Sequence, residues 1–236
     1  MSRIDDPALV AREYASDAPL QGRRAAYRFS TGPDPVALAL EAVAELSPQR
    51  VLEVGCGPGE AAERIGRELA ADVVALDLSE HMVRLARERG VDARVGDVQT
   101  LPFANDEFDC VLAAWMLYHV PDIDRALGEI ARVLRPGGRL VAVTNGQEHL
   151  AELRALLGAV GDRSFTEATA ERQLAAHFAR VECRDASGWI DFPNRAEVAS
   201  YVEASRGLWE RDVPASFDGP LRVRRAPLIY IAEKAL

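Results

Sequence analysis

The chain has 236 residues, of which 48% are hydrophobic and 28% are charged, so it can form a sizeable core and is not expected to be disordered. Its formal net charge of −9 argues against a nucleic-acid partner, because phosphate backbones attract basic surfaces. Three widely spaced cysteines predict neither a disulfide framework nor a metal site, and no stretch suits a secretory leader or a membrane span. A soluble cytoplasmic protein, monomeric or homodimeric and without a membrane partner, is therefore expected.

The first thirty residues have no clear periodicity, and residues 1–34 are predicted to form a helical cap on the rest of the chain. A helix is predicted over 34–46, because Pro35 would occupy its first turn, a favoured place for proline. The middle of the chain alternates amphipathic helical segments with short apolar runs, which are typical of strands buried on both faces of a parallel sheet. The predicted strands are 50–54, 73–76, 93–95, 110–113 and 140–143, and the predicted helices are 60–70, 80–89, 123–134 and 147–160.

Beyond these elements, the sequence predicts a helix over 166–178, an extended segment over 181–192, a helix over 194–209 and a last strand over 228–232. The alternation of strands and helices predicts a doubly wound, three-layer α/β sandwich. We expect one domain, 1–236, with its core at about 35–190 and 226–236. Residues 194–225 interrupt a strand pair and are predicted to form a lid-like insertion, and the basic run at 222–225 is interpreted as a solvated turn.

A glycine-rich turn, with Gly55, Gly57 and Gly59, follows the first predicted strand of the sheet. Glycine lets a ligand approach backbone amides that no side chain shields, and the next helix directs its positive end at the same place. Several classes of ligand use such a loop, and a tight turn that serves only packing has the same glycines. The loop alone therefore predicts only a place where a ligand could bind.

Two acids narrow the choice of ligand. Asp77 closes the second predicted strand, where a carboxylate can accept the hydroxyls of a ribose, although it could also serve as a helix cap. Asp97 follows the third strand, where it could accept an exocyclic amine of a purine or simply occupy a turn. Since both acids would lie beside the glycine loop, together they favour an adenosine site.

These residues belong to a set of motifs that resembles the class I S-adenosylmethionine-dependent methyltransferases, in particular the small-molecule group called methyltransferase type 11. The motifs occur in order and at ordinary spacings over about 50–145. They lie at 53–59, 76–82, 96–103, 108–112, 116–122 and 132–140. The resemblance implies a mostly parallel seven-stranded sheet whose last strand is antiparallel, and S-adenosylmethionine as cofactor.

The resemblance also implies contacts to the methionine part of that cofactor. The backbone around Gly55 and Gly57 would pack against it, and Glu53 would lie near its amine. Ala114, at the end of the fourth strand, would lie close to the sulfonium. Arg28 stands in a segment that resembles one in some relatives, where a basic residue can reach the cofactor carboxylate.

By the same resemblance, the adenosine part would contact residues after the second and third strands. Asp77 would hold the ribose hydroxyls, and Leu78 and Met82 would flank the adenine ring. Asp97 would accept the adenine amine, and the amide of Val98 would donate to a ring nitrogen.

The sequence gives fewer indications of the residues that bind the methyl acceptor. His119 and His149 are candidates for a general base, although a structural role is the alternative for each. Trp115 and Tyr118 are candidate acceptor contacts because they follow the fourth strand, on the side of the sheet where ligands bind. Ala114 to Met116 stand where enzymes that methylate amino groups of DNA bases or glutamine carry an Asn-Pro-Pro-Tyr type signature.

We therefore expect methyl transfer to a small organic acceptor, with oxygen slightly favoured. One alternative is a nicotinamide-dependent oxidoreductase, whose Gly-x-Gly-x-x-Gly fingerprint differs from this loop because Pro58 and Gly59 follow Gly57. Another is a module that binds S-adenosylmethionine without catalysis. No metal is expected in any of these cases.

Overall fold

A computed structural model describes residues 16–158 and 165–236. The parts of the predicted cap at 1–15 and of the predicted helix at 159–160 lie outside the described residues. The strands are β1 (Ser30–Thr31), β2 (Arg50–Val54), β3 (Asp72–Asp77), β4 (Asp92–Val95), β5 (Phe108–Ala114), β6 (Leu134–Asn145), β7 (Arg180–Asp185), β8 (Gly188–Phe192), β9 (Leu221–Arg225) and β10 (Pro227–Glu233). The helices are α1 (Ala18–Ala25), α2 (Pro35–Ala44), α3 (Glu60–Leu69), α4 (Glu80–Glu88), α5 (Ile123–Val133), α6 (Ala151–Leu157), α7 (Glu167–Ala175) and α8 (Arg195–Ala204).

Seven strands form the main sheet in the order β4-β3-β2-β5-β6-β10-β7. The pairs from β4 to β6 are parallel, and β10 runs antiparallel to both of its neighbours. The strand order reverses between β2 and β5, and ligands of open α/β sheets bind in the crevice at such a reversal. The predicted α/β fold, with its last strand antiparallel, is confirmed.

Local sequence explains where the helices begin. Asp34 caps α2 by accepting the amide of Val36 at 2.9 Å, and Pro35 fills the first helical position. Asp122 caps α5 by accepting the amide of Arg125 at 3.1 Å. The main sheet has apolar clusters on both faces, which produces the three-layer arrangement.

A second, smaller sheet has the order β1-β8-β9 and is antiparallel throughout. Helix α1 packs against α8 so closely that a Cβ on Gly22 would lie 2.5 Å from the Cβ of Ala204. We call the unit formed by residues 18–31 and 188–225 the cap. Its own apolar core also includes side chains of α6.

The structure differs from the sequence prediction at several places. The extended segment predicted at 181–192 consists of two strands in different sheets, so the cap takes residues that the sequence assigned in part to the core. The helix predicted from 147 begins at Ala151. The run 222–225 is strand β9 rather than a solvated turn, and Arg225 is only 1% exposed because its guanidinium has carbonyl partners inside the protein. Of the helices in the described ranges, none is long and apolar enough to cross a lipid bilayer.

Candidate active site

The glycine loop lies at the carboxyl end of β2, next to the reversal in strand order. Gly55 and Gly57 both have a positive φ, of 66° and 53°. A Cβ on Gly55 would lie 2.6 Å from the Cβ of Met116, so this glycine allows two chain segments to pack closely. A Cβ on Gly57 would have Leu20 of α1 as its nearest neighbour at 4.0 Å, so open space remains beside the loop.

Asp77 connects the loop to the next helix. One carboxylate oxygen accepts the amide of Gly57 at 2.8 Å, and the other accepts the amide of Ser79 at 2.9 Å. Burial raises the pKa of this carboxyl, while the two amide donors act in the opposite direction. Each oxygen has a further lone pair, so the carboxylate can still accept hydroxyl groups.

Glu53 is a buried carboxyl beneath the same loop. Only 3% of the residue is exposed, the amide of Ala62 donates to it, and its Oε2 atom has no hydrogen-bond partner. Burial raises its pKa to about 8, and the nearby charge of Asp77 acts in the same direction. An unpartnered carboxylate oxygen at this depth is suited to a cationic ligand group such as an ammonium. The site therefore fits the amine expected there.

The residues predicted to contact adenine differ in their exposure. Leu78 is 60% exposed, which is unusual for a leucine and leaves its surface available to a ligand. Met82 is fully buried at 0%, so it presents no surface to a ring and does not fit the predicted role in this conformation. Asp97 accepts the amide of Gln99 at 2.8 Å, and the buried Val98 lies between them in sequence.

The residue that directly follows β5 has an unusual backbone conformation. Trp115 has a φ of 54°, a conformation that costs a bulky residue free energy and often occurs at functional sites. Its amide donates to the carbonyl of Val143 at 2.9 Å, and its indole nitrogen donates to the side chain of Asn145 at 3.2 Å. These two hydrogen bonds fix the backbone and the indole ring of Trp115 against β6.

A short 3-10 turn, Leu117–His119, follows and brings two candidate residues together. The rings of Tyr118 and His119 are 4.5 Å apart, and both residues are half-buried. Tyr27 lies in the turn after α1, and its hydroxyl has a raised pKa to which burial and, less strongly, Tyr118 contribute. About a third of Tyr27 is exposed, but burial of its hydroxyl raises the pKa of that group. Tyr118 and His119 thus form an aromatic and polar pair directly after β5.

His149 is in a different environment from His119. It is 6% exposed, and its Nδ1 atom accepts the backbone amide of Ala226 at 3.1 Å. The other ring nitrogen must then carry the proton, so the imidazole is neutral. His149 therefore holds the chain where β9 continues into β10.

Arg28 forms an ion pair with Glu197 of α8, at 2.6 Å, so its guanidinium is engaged within the cap. Arg24, one turn earlier, pairs instead with Glu60 at the start of α3, directly after the glycine loop. Sequence reasoning missed Arg24, because nothing in the basic run from Arg23 distinguishes the arginine that lies on the loop. In the part of the chain that the structure describes, no three His, Cys, Asp or Glu side chains are grouped as a metal site requires.

Comparison with known proteins agrees with this geometry. Residues 52–142, which contain the glycine loop and the acids Asp77 and Asp97, match the family model described as a methyltransferase domain.

Two curated relatives illustrate the range of similarity. The Ubiquinone biosynthesis O-methyltransferase of Xanthomonas oryzae pv. oryzae is 34% identical over 180 residues, which are 68% of this chain and 75% of that protein. The Methyltransferase GfsG of Streptomyces halstedii is 41% identical over 99 residues, but the match covers only 39% of this chain and 36% of that protein.

Among solved structures, the YcgJ protein of Bacillus subtilis superposes with a TM-score of 0.64 at 19% identity. The match covers 86% of this chain and 98% of that one. At this identity, the similarity shows a common fold and does not by itself define a reaction.

Proposed function

The chain belongs to the class I S-adenosylmethionine-dependent methyltransferases, and we propose that it transfers the methyl group to an oxygen atom of a small organic acceptor. One arrangement of residues supports this most. The neighbouring rings of Tyr118 and His119 lie in the turn that follows Trp115 and β5, and Met116 of the same segment packs on Gly55 of the donor loop. A pocket with aromatic walls and a few polar groups is typical of small-molecule sites.

The donor would be held by the carboxylates and the backbone around the glycine loop. We propose that Glu53 binds the amine, that Asp77 binds the ribose hydroxyls and that the open face of Gly57 accommodates the methionine part. Leu78 and the Asp97–Val98 segment would contact adenine. When bound, S-adenosylmethionine supplies a methyl group that is already activated by its sulfonium.

The contribution of the chain is then mainly alignment and exclusion of water. Alignment of two reactants can supply about 7–11 kcal/mol of the barrier reduction in favourable intramolecular cases. Trp115 is fixed by its bonds to β6, so it offers a rigid wall for an acceptor beside Ala114. The cap reaches this edge of the sheet through α1, whose Leu20 lies beside Gly57 and whose Arg24 pairs with Glu60.

An acceptor hydroxyl also has a proton to lose. We propose that His119 accepts it, because His119 is half-buried and stands beside Tyr118 in the proposed acceptor site. His149, whose Nδ1 is occupied by a backbone amide, is assigned a positioning role instead.

Oxygen is favoured over nitrogen for two reasons. Ala114, Trp115 and Met116 stand where an Asn-Pro-Pro-Tyr type signature would indicate certain amino acceptors. The Xanthomonas oryzae relative, of which the match covers 75%, is named as an O-methyltransferase. We also propose that the enzyme acts in the cytoplasm, since its three cysteines are free thiols. We further propose that it is a monomer or a homodimer.

The direct test is a screen of hydroxylated, carboxylic and amino small molecules with isotope-labelled methyl donor, read by mass spectrometry. We expect label on the oxygen of one chemical class. The control is a protein with Glu53→Gln and Asp77→Ala together, which should give no labelled product. Label on nitrogen only, or on added protein or RNA only, would contradict the proposed acceptor. Calorimetry that detects no binding of S-adenosylmethionine would contradict the donor site itself.

A further inference from the structure

We propose that Arg225 is a positioning residue for methyl transfer, because it fastens the cap to the main sheet at the three places where the chain passes between them. The inference rests on the donor site and is independent of the acceptor's identity. The chain leaves the cap after β1, returns to it after β7 and leaves it again after β9. Arg225 is the last residue of β9.

The guanidinium of Arg225 contacts two of these passages, and the third passage begins at Arg225 itself. Its Nη2 atom donates to the carbonyls of Thr31, at 3.2 Å, and of Pro33, in the passage from β1 to α2. Its Nη1 atom donates to the carbonyl of Ala186 at 3.0 Å, in the passage from β7 to β8. Arg225 itself begins the third passage, which continues into β10 at Pro227.

The passages are packed so closely that only glycine fits at two positions. A Cβ on Gly188 would lie 2.1 Å from the carbonyl oxygen of Thr31 and 3.0 Å from the Nη2 atom of Arg225. Gly32 has a φ of 96°, and its Cβ would lie 3.0 Å from the carbonyl oxygen of Ser187. The guanidinium is therefore wedged into a junction where the backbone segments themselves touch.

The charge of Arg225 is difficult to explain by stability alone. The residue is 1% exposed, its Nε atom has no partner, and within the described ranges its hydrogen bonds go to neutral carbonyls and not to a carboxylate. Burial of an unpaired charge costs free energy, and an apolar side chain of similar volume often serves stability as well. The rigid fork of arginine, however, can bind several carbonyls at once, which an apolar side chain cannot do.

The junction matters for the donor site because the cap carries α1. Arg23 of α1 donates to the carbonyl of Ala204 at 3.2 Å, so α1 and α8 are connected. The opposite side of α1 lies on the donor loop, with Leu20 near Gly57 and Arg24 paired with Glu60. If Arg225 loosens, the cap and α1 can move away from the loop together.

The test compares Arg225→Met with Arg222→Met, a control on the same strand whose side chain is 59% exposed and pairs with Asp191. Two quantities are measured: the affinity for S-adenosylhomocysteine by calorimetry, and amide hydrogen exchange of the ligand-free protein. For Arg225→Met we expect an affinity about tenfold or more lower. We also expect faster exchange over 18–31 and 188–225, with β2, β5 and β6 as protected as in the wild type. Arg222→Met should stay within about twofold of the wild type in affinity.

Arg225→Lys provides a second measurement, and it serves alone if the methionine variant does not fold. Lysine keeps the charge but can bind fewer carbonyls from one nitrogen, so its affinity and cap exchange should lie between those of methionine and arginine. An unchanged affinity in the folded variants would overturn the proposal. So would an exchange rate that rises equally in the cap and in the main sheet, because Arg225 would then support only overall stability. Neither readout requires the acceptor, so these outcomes are separate from failure of the acceptor screen.

Discussion

At the scale of single residues, Asp77 has a structural and a binding task at the same time. Its carboxylate already holds the amides of Gly57 and Ser79, so it shapes the loop before any ligand arrives. Preorganisation of this kind lowers the free energy that binding would otherwise spend on ordering the loop. A substitution at Asp77 should therefore affect both loop geometry and the contact to the ribose.

We expect Asp77→Ala to weaken binding of S-adenosylmethionine more than Asp122→Ala does. Both acids accept the amide of a residue that follows them, but Asp122 only caps α5, whereas Asp77 also faces the donor site. The loss for Asp77→Ala should be about tenfold or more in the dissociation constant measured by calorimetry. Equal effects of the two substitutions would contradict the assignment of Asp77.

Glu53 is expected to reduce the stability of the ligand-free protein as pH rises. Its pKa is about 8 in the folded chain, against 4.5 as the ordinary value, so between these pH values the unfolded chain releases a proton that the folded chain keeps. The free energy of unfolding should then decrease by up to about 1.4 kcal/mol per pH unit from this group, and level off above its folded pKa. Glu53→Gln removes this contribution.

Melting curves of the ligand-free protein at pH 5 and pH 8 test this. The melting temperature of Glu53→Gln minus that of the wild type should be higher at pH 8 than at pH 5. At pH 8 the variant should nevertheless bind S-adenosylhomocysteine about tenfold more weakly than the wild type does. Glu63→Gln, in an exposed ion pair with Arg89, is the control and should change neither quantity appreciably. A Glu53→Gln protein that binds as tightly as the wild type would show that this carboxylate does not hold the amine.

At the scale of elements, the donor side could be predicted from sequence because each feature is local. The apolar runs, the glycine turn and the acids at strand ends lie within a few residues of one another, and parallel strands bring their carboxyl ends to one edge. The sequence motif does not reveal the burial of Met82, because its position in the motif is local whereas its complete burial depends on packing. The partners of Arg24 and Arg28 could not be predicted from local sequence either. Arg24 pairs with Glu60 of α3 and Arg28 with Glu197 of α8, both distant in the chain.

The glycine loop allows packing and ligand space to be separated experimentally. Alanine at Gly57 or at Gly59 meets a positive φ, which costs about 1–2 kcal/mol in each case. At Gly59 the Cβ would also lie 2.7 Å from the Cβ of Ala86, which adds about 1–3 kcal/mol of overpacking. At Gly57 it would enter the open space of the donor site. Gly59→Ala should therefore lower the melting temperature more, and Gly57→Ala should lower the affinity for S-adenosylhomocysteine more. The reverse order would contradict the placement of the donor.

At the scale of the whole molecule, the cap could not be predicted as one unit. Its parts come from 18–31 and 188–225, and the contacts that join them depend on tertiary packing rather than on a local pattern. The run at 222–225 has the composition of a solvated turn, and only the pairing of β9 with β8 places Arg225 inside. An alternating pattern in one segment can indicate a strand, but it does not identify the distant segment with which that strand pairs.

The contact between α1 and α8 should matter for donor binding, and two helical glycines test it. Alanine in a helix is more favourable than glycine by up to about 1 kcal/mol, so Gly66→Ala in α3 should raise the melting temperature, because its Cβ would meet Val73 at an ordinary 3.7 Å. Gly22→Ala carries the same helical gain, but its Cβ would lie 2.5 Å from that of Ala204, so α1 and α8 must separate. We expect Gly22→Ala to lower both the melting temperature and the affinity for S-adenosylhomocysteine, and Gly66→Ala to leave the affinity unchanged. If Gly22→Ala also stabilised the protein and bound the ligand normally, the position of α1 would not control the donor site.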